Sequence, residues 1–226
     1  MSRLAWVALL LLTACSAPAT SESTVPPTEP QPTTVLALGD SYTVAEGIDP
    51  AGGWPAQLGE RLDLDTTIVG DTGWTTGRML VEFDGEYPAL DAEYDVVVVE
   101  LGVNDAYNLV PTEVFGPSLS DILSNAVELA GGRADAVIVV TIPDYTVTPF
   151  GVNSGRVDSE DIGRYNATLR GIVSAAGTRL VDVTPLTVEA TEGSSLLAPD
   201  GLHYSAEMYA QWVDLLEPEV RVAASD

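Results

Sequence analysis

Lysine is missing from the 226-residue chain, whose nine basic residues are all arginine against 34 Asp and Glu, giving a formal net charge of −25 and a sequence pI near 4.1. A surface that negative repels phosphate backbones, which argues against nucleic acid as a partner; its plain reading is a solvated, soluble exterior. Cysteine occurs once, at Cys15, so no disulfide can form within one chain. Histidine also occurs once, at His203. The N-terminal apolar stretch from Leu4 to Leu12 is too short to span a bilayer as a stable helix. The carboxylate groups Asp63/Asp65 and Asp158/Glu160/Asp161 lack the glycine a calcium loop needs, and the latter sits where helix N-terminal charges belong. No metal and no cofactor is therefore expected, and no internal repeat or second domain is visible.

What the N-terminus does contain reads as processing rather than structure. Met1-Ser2-Arg3 carries positive charge, Leu4 to Leu12 is apolar, and Leu12-Thr13-Ala14-Cys15 looks like a bacterial lipobox, in which cleavage before the cysteine leaves a thiol that is lipidated. The expectation is a lipoprotein signal over residues 1–14, a lipid on Cys15, and export to the bacterial cell envelope with membrane attachment through that lipid. Residues 15–32 are Ser, Thr, Pro and Glu with almost nothing to bury, a disordered tether stiffened by proline. The remaining residues, 33–226, make one domain.

In that domain strand-like and helix-like segments alternate. Apolar, β-branched runs occur at TTVLALG, TTIVG, DVVVVELG, DAVIVVTIP and TRLVDVT, with helical patterns near Trp54–Leu62, Thr76–Phe83, Thr112–Leu129, Asp158–Ala175 and Ser205–Leu216. Near-continuous apolar strands need burial on both faces. The pattern predicts an α/β fold: a single three-layer, doubly wound domain with a mainly parallel five-stranded sheet and helices on both faces, as in flavodoxin-like folds.

Such a sheet gathers its carboxyl-side loops, and the active site, at one edge. The first strand ends on Gly39-Asp40-Ser41, the second runs into Gly70-Asp71-Thr72-Gly73, and the third ends on Gly102-Val103-Asn104-Asp105. Each alone is ordinary turn chemistry; three together, with serine, a donor amide and glycines that let substrate approach main-chain N–H groups, are less so. The sole histidine lies in APDGLHYS, three residues after Asp200. Acyl transfer by a serine needs a base that takes the hydroxyl proton near neutral pH and an acid that fixes the imidazole, and an Asp-x-x-His turn can supply both.

These residues resemble the SGNH hydrolases, the GDSL-type esterases and lipases, across nearly the whole domain. GDSYT matches the serine block, GDTGWTT the glycine block with Gly73 in the glycine-any-threonine pattern, GVND the asparagine block, and DGLHYS the last block. Val69 departs from the pattern, standing where many members have asparagine. The resemblance implies Ser41 as nucleophile, His203 as base, Asp200 as its orienting acid, and an oxyanion hole from the N–H groups of Ser41 and Gly73 with the Asn104 amide. Asp40 reads as structural. The segment PDYTVTPFGVNSGR is expected to be a long loop forming a cleft wall through Tyr145 and Phe150; Trp54, Trp74 and Tyr107 are weighed as cleft residues against core packing. The expected function is hydrolysis of short-chain carboxylic esters, since no long hydrophobic lid is seen. Alternatives are O-deacetylation of carbohydrate or cell-wall sugars, lysophospholipid hydrolysis, and a non-catalytic ligand-binding surface lipoprotein. The expected partner is thus a small-molecule or carbohydrate ester; nothing in the sequence fixes an oligomeric state.

Overall fold

Four consecutive valines, Val96–Val99, have too much apolar surface to face water on either side, and they form the buried centre of the sheet. The computed structural model describes residues 31–85, 90 and 92–225. The signal, Cys15 and all of the tether but residues 31 and 32 lie outside them. Five strands, β1 (Thr34–Gly39), β2 (Asp65–Gly70), β3 (Val96–Glu100), β4 (Val137–Val140) and β5 (Arg179–Val181), pair in parallel in the order β2-β1-β3-β4-β5. This is the doubly wound order, and it reverses between β1 and β3, the place where such sheets bind ligands.

Helices α1 (Trp54–Leu62), α2 (Thr76–Phe83), α3 (Val103–Tyr107), α4 (Thr112–Leu129), α5 (Pro149–Ser154), α6 (Ser159–Ala176), α7 (Thr184–Thr187) and α8 (Ala206–Ala223) fill the connections. Helices α1 and α8 pack together, while α2, α4 and α6 pack side by side. Trp54, Trp212, Phe115, Leu36 and Leu38 are among the largest side chains wholly removed from water, each worth about 1.5–3 kcal/mol of burial. Local signals set the ends. Asp158 and Asp161 form a reciprocal capping box at the start of α6, Gly177 ends it in the left-handed conformation, and Ser205 caps α8. No helix among the described residues is long and apolar enough to cross a membrane.

Two expectations need correction. The segment after β4 is not an open loop. A 3₁₀ turn at Tyr145–Val147 leads into α5, because Thr148 accepts the Gly151 N–H, Pro149 occupies the first helical position and Gly155 closes the end at φ 52°. Helix α8 also runs past Leu216 to Ala223, since Leu216, Val220 and Ala223 keep facing the core despite Pro218.

Candidate active site

The serine turn is shaped by backbone first. Directly after β1 the Thr43 and Val44 N–H groups both donate to the Asp40 carbonyl, at 3.0 and 3.1 Å, and the Glu46 N–H returns to the Ser41 carbonyl at 2.9 Å. Among the described residues neither the Ser41 N–H nor the Gly73 N–H is given to a protein acceptor. Gly73 sits at φ +80° with nothing near its Cα on the side-chain face. Glycine is needed there for its torsion, not for space.

Cross-links hold the three loops in register. The Thr76 N–H and hydroxyl both donate to the buried Asp105 carboxyl, at 2.9 and 2.6 Å, tying the glycine block to the asparagine block. Thr72 donates its hydroxyl to Glu46, tying the glycine block to the serine turn. Asn104 Nδ2 donates to the Trp74 carbonyl at 3.0 Å and to Asp40 Oδ2 at 3.2 Å. The second contact is at the long end of the hydrogen-bond range, so that N–H is the one available to share.

The histidine comes from the turn before α8. Its Nδ1 lies 2.7 Å from Asp200 Oδ2, while Asp200 Oδ1 accepts the N–H groups of Leu202 and His203, both at 2.9 Å. An ionised Asp200 can only accept, so Nδ1 carries the proton and Nε2 presents its lone pair. Partial burial works against ionisation of Asp200, but the hydrogen bonds from the His203 ring and the two N–H groups outweigh it and hold its carboxyl below the ordinary value. No hydrogen bond joins Ser41 to His203 Nε2; the nearest carboxylate to Nε2 is Glu46, at 3.8 Å. Such contacts are often long in unliganded sites.

Ser41, Asn104 and His203 face one cleft of about 110 Å³, whose other walls are Tyr42, Val103, Tyr107, Tyr145, Phe150 and Leu202. Trp54 and Trp74 are instead buried in the core. The cleft carries a cation at its edge: the Arg156 guanidinium stands 5.1 Å over the Tyr107 ring and donates to the Tyr107 carbonyl. Burial pushes the Tyr145 hydroxyl up to about 12. No group of His, Cys, Asp and Glu suited to a metal occurs among the described residues.

Sequence reading passed over Gly47. At φ +84° it lies against the acid of the Asp-x-x-His turn, and a Cβ there would meet Asp200 Oδ2 at 2.7 Å. Its only local signal was the Glu46-Gly47 pair closing the serine turn. Val103 and Leu202 were likewise missed as cleft residues, because each is simply the apolar residue beside a polar motif.

With this geometry in hand, the chain can be set beside known proteins. Residues 37–211 match the GDSL-like lipase/acylhydrolase family, and the chain belongs to it. It is an ester hydrolase. No curated protein sequence shows significant similarity to it. Among solved structures it is similar to TesA (23% identity, TM-score 0.65, covering 84% of this chain and 99% of that one). It is also similar to the psychrotrophic esterase EstA from Pseudoalteromonas sp. (19%, 0.65, 86% and 100%) and to Axe2, an acetylxylan esterase from Geobacillus stearothermophilus (18%, 0.62, 83% and 94%). At these identities the likeness is one of fold.

Proposed function

We propose that the cleft hydrolyses small carboxylic esters through a covalent acyl-serine. Ser41 Oγ attacks the ester carbonyl as its proton passes to His203 Nε2, and the C=O electrons move onto oxygen. The N–H groups of Ser41 and Gly73 and the Asn104 amide receive that oxyanion. Collapse expels the alcohol, which takes the proton from His203. A water then repeats the sequence on the acyl-serine, releasing the acid and restoring the serine. Asp200 holds the imidazole in the required tautomer and stabilises its charged form. Each preorganised donor is worth about 3 kcal/mol to the transition state.

The observation that carries this reading is the 2.7 Å Asp200–His203 bond at a cleft that also holds Ser41 and Asn104. The same cleft bears on the substrate. Its space of about 110 Å³ is walled by only a few apolar side chains, Tyr107, Tyr145, Phe150 and Leu202 among them, which suits short acyl groups, since each further methylene gains about 0.8 kcal/mol only where protein surface covers it. Across aryl esters of increasing chain length, kcat/KM is expected to peak at acetyl to butyryl and to decline by octanoyl, with Ser41→Ala as the blank. A profile rising steadily through dodecanoyl overturns the short-chain reading. Acetylated sugars belong in the same panel, because a structurally similar protein is an acetylxylan esterase.

We further propose that the domain is exported and held at a membrane by lipid on Cys15, supported by Leu12-Thr13-Ala14-Cys15 and by the single cysteine in the chain. Cys15→Ser is expected to move the protein from the detergent phase to the aqueous phase and to remove the lipid mass from its N-terminal peptide. Wild-type protein from the native membrane fraction with an unmodified Cys15 excludes the anchor.

A further inference from the structure

The register of the sheet sets two carboxyl groups together beneath the serine turn. Gly39, the last residue of β1, pairs with Glu100, the last of β3, and Asp40 follows directly. Both acids are wholly buried, at 0% and 1% exposure. Among the described residues no cation pairs with either, and the ion pairs given by those residues lie on the surface or around His203. Both Asp40 oxygens already accept an N–H, Oδ1 from Tyr42 at 3.1 Å and Oδ2 from Asn104 at 3.2 Å. Glu100 Oε2 accepts the Thr43 hydroxyl at 2.9 Å, whereas Glu100 Oε1 is buried with no N–H or O–H directed at it.

Two buried carboxylates with no cation beside them can only accept, so setting them together requires a proton. Burial is the chief force retaining it: it pushes Glu100 up to about 7 and Asp40 well above its ordinary value, and the nearby Glu100 charge raises Asp40 further. Glu100 Oε1 has no other donor, so the pair holds one proton between Asp40 and Glu100 rather than two separate charges.

We propose that Glu100, sharing one proton with Asp40, is a positioning residue of the oxyanion site, fixing the carboxyl group that holds both the Asn104 amide and the Tyr42 N–H beside Ser41. The inference rests on the hydrolytic reading above. Glu100 reaches no substrate. Its effect is to keep the Asn104 donor aimed when negative charge develops on the carbonyl oxygen, so its loss registers in kcat rather than in KM. The titratable groups facing the pair are the Tyr42 hydroxyl from the same turn and the Tyr204 and Tyr209 hydroxyls from the C-terminal segment, all held above the ordinary tyrosine value chiefly by burial. His203 meets the edge of the Tyr42 ring, at 5.4 Å between centroids.

The test compares Glu100→Gln with Glu100→Ala. Glutamine keeps an N–H for Asp40 and an oxygen for Thr43 but cannot ionise; alanine supplies neither. Glu100→Ala is expected to lower kcat about tenfold or more with KM within about twofold, and Glu100→Gln to restore kcat to within about threefold of wild type. Thermal melts across pH add a readout independent of turnover. The folded value near 7 stands above the ordinary 4.5, so the stabilisation is fully present below 4.5 and is lost as pH rises through about 7. Wild-type stability should therefore fall with rising pH across that window, and Glu100→Gln should fall less. Equal kcat losses in both variants, an unimpaired Glu100→Ala, or identical pH slopes of wild type and Glu100→Gln would each overturn the proposal. If Glu100→Ala does not fold, the Gln melts decide. If wild type shows no Ser41-dependent turnover and no fluorophosphonate labelling, it is the hydrolytic reading that fails, while the melts still report the buried proton.

Discussion

Ser41→Ala is expected to abolish ester hydrolysis, with turnover falling on the order of 10⁵-fold, and His203→Ala should fall by a similar amount. On the proposed mechanism each removes the same step: without the hydroxyl there is no acyl acceptor, and without the imidazole its proton has no base. The double variant should consequently be no worse than either single one. The fold should be untouched, since no hydrogen bond of the Ser41 hydroxyl holds the turn together and the Asp40 and Glu46 backbone bonds remain. A fluorophosphonate should label the wild type at Ser41 and leave Ser41→Ala unmarked. A folded Ser41→Ala protein that turns over near the wild-type rate removes the nucleophile assignment, and the rest of the mechanism with it.

Gly39→Ala is expected to have the largest effect on stability. A Cβ at this position would lie 1.9 Å from Thr43 Oγ1, 2.5 Å from Thr43 Cβ and 2.7 Å from the Glu100 carbonyl oxygen. Turning Thr43 away would sacrifice its bond to Glu100, and moving the carbonyl would part β1 from β3. Either route costs about 3 kcal/mol or more, which at this size lowers Tm by roughly 6–12 °C. Activity should be lost along with it, because Asp40 and Ser41 follow directly. Gly163→Ala is the control. It lies exposed inside α6 with nothing within 4 Å of a new Cβ, so alanine should stabilise by about 0.5–1 kcal/mol. A Gly39→Ala protein melting within about 2 °C of wild type would show that the crowding at the end of β1 is relieved at little cost.

The fold was readable because its signals are local and strong. Valine runs such as Val96–Val99 admit little except a strand buried on both faces, and Asp158, Thr75 and Ser205 mark helix starts by the N–H groups they accept. Boundaries failed where the signal was short. The six residues of α5 are too few to show a helical period, so a capped turn following Pro143 reads as loop. The polar clusters at the strand ends were likewise legible as motifs, since Gly, Ser, Asn and His stand out against apolar strands.

The α/β alternation, the five strands, the set of polar motifs and the single histidine available to acid–base chemistry were all legible along the chain. Each of these depends on residue type and spacing along the chain. Which of them meet was set by packing. Parallel pairing of β1 with β3 put Glu100 beside Asp40, the turn after β1 set Gly47 against Asp200, and the α5 segment brought Phe150 and Tyr145 to the cleft while the chain buried Trp54 and Trp74. These contacts join residues far apart in sequence, through register and packing angles that no local pattern encodes, and for that reason the meeting of Asp40 and Glu100 beneath Ser41 could not be read from the letters GDS and VELG.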